Sequence, residues 1–215
     1  MTQLPHSSRP PRLAAYLVEL FACTEQSESV LGDLHEEFLD LASGSGVVTA
    51  RRWYWRQSAK TIFHLVGAAF RTAPLSLAGV VLLGFLLERF SFGFPERLMV
   101  LVLRTQRPYS NLHYGFYAWL VTYGIPLVAI IQTILVGCIT AALAKGREMV
   151  ATIVLTFLSA APLGLLLLNT GGPWSPFAYS WPFVIMELVN LLWIIPGGVI
   201  VREIRSALAR RVSRT

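Results

Sequence analysis

Residues 116–144 read FYAWLVTYGIPLVAIIQTILVGCITAALA, 29 positions without one charged side chain. A membrane-spanning helix needs about 20 mostly apolar residues, because the hydrocarbon core is about 30 Å thick and each helical residue rises about 1.5 Å. This stretch is long enough to cross, and the rest of the chain is read outward from it. Upstream, residues 65–87 are mostly apolar, interrupted by Arg71 and Pro74. Downstream, residues 149–168 and 181–201 also qualify, the last with a single charge at Glu187. Composition agrees over all 215 residues: 54% are apolar, 14% are charged and the mean hydropathy is +0.57, whereas a soluble domain carries about 25% charged residues. Such a chain lacks the polar residues to coat a soluble globule, so a secreted disulfide scaffold, a disordered tail and a freely soluble enzyme are all excluded. The expected fold class is all-α, a polytopic membrane protein. It divides into a cytoplasmic helical head (residues 1–62), a four-span bundle (63–201) and a basic tail (202–215).

Charge sets the orientation. Arg51, Arg52, Arg56, Lys60 and Arg71 precede the first span, Lys145 and Arg147 join the second to the third, and Arg202, Arg205, Arg210, Arg211 and Arg214 follow the fourth. The other side holds only Arg89, Arg97, Arg104 and Arg107. Loops on the cytoplasmic side carry the Lys and Arg excess, so both termini are expected there. Trp119, Trp174, Trp181, Tyr114, Tyr117 and Tyr179 then fall at outer ends, as interfacial aromatics do. In the long connection 88–115, the apolar run Leu98 to Leu103 is too short to cross; an interfacial helix, a re-entrant cap and a helix packed on the bundle all remain open. Ile204, Leu208 and Val212 line one face of the arginine-rich tail, which reads as an amphipathic helix on the anionic inner leaflet. Residues 13–23 do not form a cleavable signal, because the run is short and carries Glu19 and Phe21. Cys23 and Cys138 lie in contexts too different to make a disulfide framework.

The head separates its charges. Glu19, Glu25, Glu28, Asp33, Glu36, Glu37 and Asp40 come first, and the bases Arg51, Arg52, Arg56 and Lys60 follow. Pro10-Pro11 allows a helix from Arg12, with Leu13, Tyr16, Leu17 and Leu20 as its expected apolar stripe. A second helix follows Thr24, with Val30, Leu31, Leu34, Phe38 and Leu41 on one face and Asp33, Glu36, Glu37 and Asp40 on another. Ser43-Gly44-Ser45-Gly46 ends it, and a third helix from about Val48 carries Arg52, Arg56 and Lys60 at steps of four toward the membrane. The acidic face is a candidate contact for this basic helix or for a docking partner.

Three runs carry a family resemblance: Pro10-Pro11-Arg12, Val30-Leu31-Gly32-Asp33-Leu34-His35-Glu36-Glu37-Phe38 and Ala50-Arg51-Arg52-Trp53-Tyr54-Trp55-Arg56-Gln57. In this order and ahead of a span, they resemble the permease prefix domain at the N-terminus of acidobacterial duplicated orphan permeases, which are similar to macrolide-exporter-type ABC permeases. The resemblance covers residues 10–62, about a quarter of the chain. It implies a cytoplasmic docking or regulatory head in a bacterial inner membrane, here fused to a four-span bundle with no room for the large extracytoplasmic domain of such permeases.

Enzymatic signatures are missing. No Gly-x4-Gly-Lys-Ser/Thr loop cradles a nucleotide, and His35-Glu36 fails as a zinc-protease helix because position 39 is Leu. The histidines at 6, 35, 64 and 113 have no metal-ligand spacing. No catalytic residue, cofactor or metal is therefore expected. Trp53, Tyr54 and Trp55 among arginines read as a juxtamembrane anchor and not as a nucleic-acid surface. Inside the membrane, ionisable groups are expensive and mark functional candidates. Glu187 and Asn190 share a helical face, and with Gln132 and Asn169 they are expected to converge on a polar cavity, unless they act as hydrogen-bonding glue between helices. The leading expectation is a non-enzymatic protein docked to an ABC-type permease or a regulatory protein. The alternative is a small transporter or channel, alone or as a homo-oligomer, using the Glu187 site.

Overall fold

The computed structural model describes residues 9–22, 24–105, 114–169 and 181–212, and every element among them is helical. Arg107, Trp174, Tyr179 and Cys23 lie outside these residues. Helices α1 (Arg12–Phe21), α2 (Thr24–Ser45) and α3 (Val47–Thr72) form an N-terminal three-helix unit. Its core is Ala14 and Val18 from α1, Leu34 and Phe38 from α2, and Ala50 and Tyr54 from α3. The Phe38 and Tyr54 rings meet edge to face, 5.8 Å between centroids. The expected stripe on α1 is corrected here: Leu13, Tyr16 and Leu17 are exposed and only Leu20 is buried. Ala14 and Val18 face inward because their small side chains let the α1 backbone approach α2 and α3. Gly46, at φ 86°, makes the tight link from α2 to α3 in a region that disfavours residues with a Cβ.

Four stretches are long and apolar enough to cross a membrane: Pro74–Ser91, Thr122–Leu143, Glu148–Leu165 and Val184–Ala209. The first begins later than the hydropathy pattern places it. Pro74 forces Ala73 out of helical geometry (φ −156°, ψ 69°), so α3 stops at Thr72 and α4 (Pro74–Ser91) starts afresh. Residues 65–72 therefore belong to α3, and the span ends at Ser91, which brings Glu88 into the bundle. Arg147 stitches this break, donating to Thr72 Oγ1 at 2.8 Å and to the Ala73 carbonyl at 3.5 Å.

The 12-residue α5 (Phe94–Thr105) follows, about 18 Å long and so too short to cross. It packs on α7 (Ile125–Leu143). Before α7 come α6 (Tyr114–Trp119) and one wider π-type turn, Leu120–Gly124. Trp119 stacks on Phe116 there. The bundle closes with α8 (Glu148–Asn169), α9 (Trp181–Leu192) and α10 (Ile194–Val212). The fourth span is interrupted at Trp193, because Pro196 has no N–H for the carbonyl one turn earlier. The α10 helix runs on without a break into the arginine-rich segment.

Helices α7 and α10 touch backbone to backbone. A Cβ on Gly137 would overlap the Ile194 carbonyl, and one on Gly197 would lie 2.7 Å from the Cys138 nitrogen. Thr133, Gly137 and Ala141 on α7 are buried at this seam, as small residues on a spanning helix allow. Leu77, Val81, Val136, Leu155, Leu191 and Ile194 form the apolar core of the bundle.

Candidate functional site

Two polar centres stand out, at opposite ends of the bundle. The first is a cavity of about 120 Å³ at the end remote from α1–α3. Gln132 and Thr133 reach it from α7, Glu187 and Asn190 from α9, and Glu88 from α4, while Phe92, Gly93 and Pro95 close it where the chain enters α5. Three of the four residues expected to converge, Gln132, Glu187 and Asn190, thus line one cavity. The side chain of Asn169 lies outside the described residues.

Glu88 is the member that hydropathy reading omits, and it is the most buried acid there, 6% exposed. Its Oε2 has no hydrogen-bond partner. The nearest cation is Arg89, 4.0 Å away, whose half-exposed guanidinium also rests over the Phe85 ring. Glu187 lies within electrostatic reach of Glu88.

The orientation of Gln132 follows from its neighbour. Ser91 Oγ donates to the Leu87 and Glu88 carbonyls at 2.8 and 3.1 Å, so it accepts from Gln132 Nε2 at 2.9 Å. That leaves Gln132 Oε1 as a second buried acceptor without a partner. On its other side, Gln132 borders an apolar groove of about 300 Å³ between α4, α5 and α7, lined by Leu87, Phe94, Val128, Ile131, Leu135 and Ile139.

The second centre lies where the three-helix unit meets the bundle. Glu148, only 3% exposed, pairs with Arg205 and lies 3.8 Å from Arg202; its Oε1 also accepts from the Gly146 amide at 3.0 Å. Arg202, 7% exposed, donates to the Glu19 and Ala22 carbonyls at the end of α1. Arg205 reaches the Ala142 carbonyl at 2.6 Å. Arg202 is buried and Arg205 partly so, and the continuous α10 turns both toward the buried Glu148, so the reading of a tail laid on lipid does not hold for these two. Tyr16 adds a hydrogen bond from α1 to Glu203 at 3.3 Å. Burial first, and then the charge of Glu203, hold its phenol above the ordinary value near 10; burial alone raises that of Tyr54.

The charge faces of the three-helix unit behave differently. Asp33, Glu36, Glu37 and Asp40 are all exposed along α2, and Arg52 and Arg56 are exposed on α3. Among the described residues, no ion pair joins the two sets. Comparison with family models, curated proteins and solved structures finds no match to this chain.

Proposed function

We propose that the chain is a non-enzymatic bacterial inner-membrane protein, with both termini cytoplasmic, whose permease-prefix-like unit docks an ABC-type permease or a regulatory partner. The observation that carries this reading is the outward acidic face of α2: four carboxylates within eight residues stand in solvent, with no ion pair to the bases of α3 among the described residues. Meanwhile the opposite end of the unit is fastened to the bundle through Arg202 and Tyr16. An acidic surface on a unit fastened to the bundle, without an ion pair among the described residues, suits a partner with a basic face. Rim charges of this kind set encounter rate and partner choice more than fold stability.

The test is crosslinking and affinity capture from native membranes, comparing the parent with the double variant Glu36→Lys, Asp40→Lys. Exposed substitutions are expected to leave stability within about 0.5 kcal/mol. The reading requires that one permease or regulator be captured by the parent and lost from the variant. Identical capture by both, or self-crosslinks alone, would refute it.

A further inference from the structure

The cavity under α5 holds two buried acceptors with no donor in hydrogen-bond range, Glu88 Oε2 and Gln132 Oε1, the Ser159 hydroxyl lying close to the Glu88 carboxyl. Both lining acids, Glu88 and Glu187, are of one sign, and among the described residues the cation beside Glu88 is Arg89, a half-exposed ion-pair partner at 4.0 Å, outside hydrogen-bond range. A buried carboxylate in a low-dielectric setting calls for a paired charge and for donors on its oxygens. A component that complements this cavity therefore carries positive charge and at least two N–H or O–H donors.

A multivalent metal ion fits poorly. The acids here number two, and no third His, Cys, Asp or Glu groups with them among the described residues. The neighbouring groove narrows the chemistry further. It shares Gln132 with the cavity, and apart from Ser91 and Gln132 its lining is apolar. The Gln132–Ser91 hydrogen bond lies at their boundary. A charged head in the cavity can thus continue into an apolar tail lying in the groove. The groove, at about 300 Å³, is by itself at the lower end of the about 300–1,000 Å³ range of small-molecule sites.

We propose that this cavity and groove form a binding site for a primary alkylammonium ion, the –NH3+ group donating to Glu88 Oε2 and Gln132 Oε1 and the alkyl chain lying against Phe94, Ile131 and Leu135. A primary ammonium supplies three donors and one charge, which matches the two orphan acceptors and the buried carboxylate. The site concerns binding alone, and it stands whether or not the α2 face docks a partner.

The test uses the purified full chain in nanodiscs of neutral phosphatidylcholine, titrated calorimetrically with n-hexylammonium, n-hexyltrimethylammonium and n-hexanol. Hexylammonium is expected to bind saturably, one per chain. The trimethyl analogue, which has the charge without the N–H groups, is expected to bind at least tenfold more weakly, and hexanol to show no saturable binding. Glu88→Gln, close in shape, and Gln132→Leu should each weaken hexylammonium at least tenfold. Equal binding of hexylammonium and hexanol would overturn the proposal by reducing the site to a lipid groove. Equal binding of the trimethyl analogue would overturn it without any mutation, so the result does not depend on a variant folding. Affinity of Glu88→Gln within twofold of the parent would do the same.

Discussion

Replacing Arg202 with Ala tests how the N-terminal unit is held. The guanidinium donates to the Glu19 and Ala22 carbonyls and lies 3.8 Å from Glu148. Removing one partner of a buried ion pair costs about 3–5 kcal/mol when the other charge is orphaned. Glu148 is not orphaned here, because Arg205 and the Gly146 amide still hold it. What is lost is two hydrogen bonds to a charged donor, about 1.5–3 kcal/mol each, and the carbonyls at the end of α1 regain part of this from water once they are exposed. A net loss of about 3 kcal/mol follows, equivalent to about a hundredfold rise in the undocked population. Hydrogen–deuterium exchange reads this directly: a peptide covering the last turn of α1 should exchange about a hundredfold faster, while peptides from α7 and the first half of α10 stay at parent rates. Arg202→Lys should fall between, since an ammonium lacks the planar fork that serves two acceptors. Exchange of the α1 peptide within threefold of the parent, in a folded variant, would refute the clamp.

Three further outcomes follow from the packing and the ionisable groups. Gly137→Ala places a methyl against the Ile194 carbonyl, so α10 must retreat; the overpacking should cost about 1–3 kcal/mol in a detergent unfolding assay. Gly164→Ala, which meets nothing within 4 Å, should be neutral or stabilise by up to about 1 kcal/mol. For Tyr16, the folded phenol is raised above its ordinary value near 10, so its contribution to docking is fully present below pH 10. That contribution is lost as the pH climbs from there through the folded value, because the undocked or unfolded state ionises first. Tyr16→Phe should remove this part of the alkaline decline, as followed by phenolate absorbance together with α1 exchange.

Much of the architecture is legible before any coordinates. Spans emerge because about 20 apolar residues are needed to cross and little else looks like that. The cavity is partly legible too, since Gln132, Glu187 and Asn190 are conspicuous in apolar surroundings. Glu88 is hidden by a boundary: hydropathy ends the first span at residue 87, whereas Pro74 at the helix start moves the whole helix later and carries Glu88 inside. On α1, side-chain size misleads. Leu13 and Leu17 have larger apolar side chains than Ala14 and Val18, yet close helix contact favours the smaller pair. The arginines of α10 satisfy an inner-leaflet reading equally well on either face, and only the position of Glu148, more than fifty residues earlier in the chain, decides which way Arg202 and Arg205 point.

The link between Arg202 and Glu19 joins residues 183 positions apart. At about 5–20 residues per second, the ribosome adds Arg202 roughly 10–40 s after it has added Glu19. Once α3 has followed, the three-helix unit can form its own core, and α1 can meet α8 before α10 exists, but the Arg202 clamp is still missing. Clamping it therefore waits for the fourth span to be threaded and for α10 to emerge behind it. A nascent chain stalled before that point would display the unit unclamped. The clamp thus makes the posture of the N-terminal unit a record of whether membrane insertion has reached the last span.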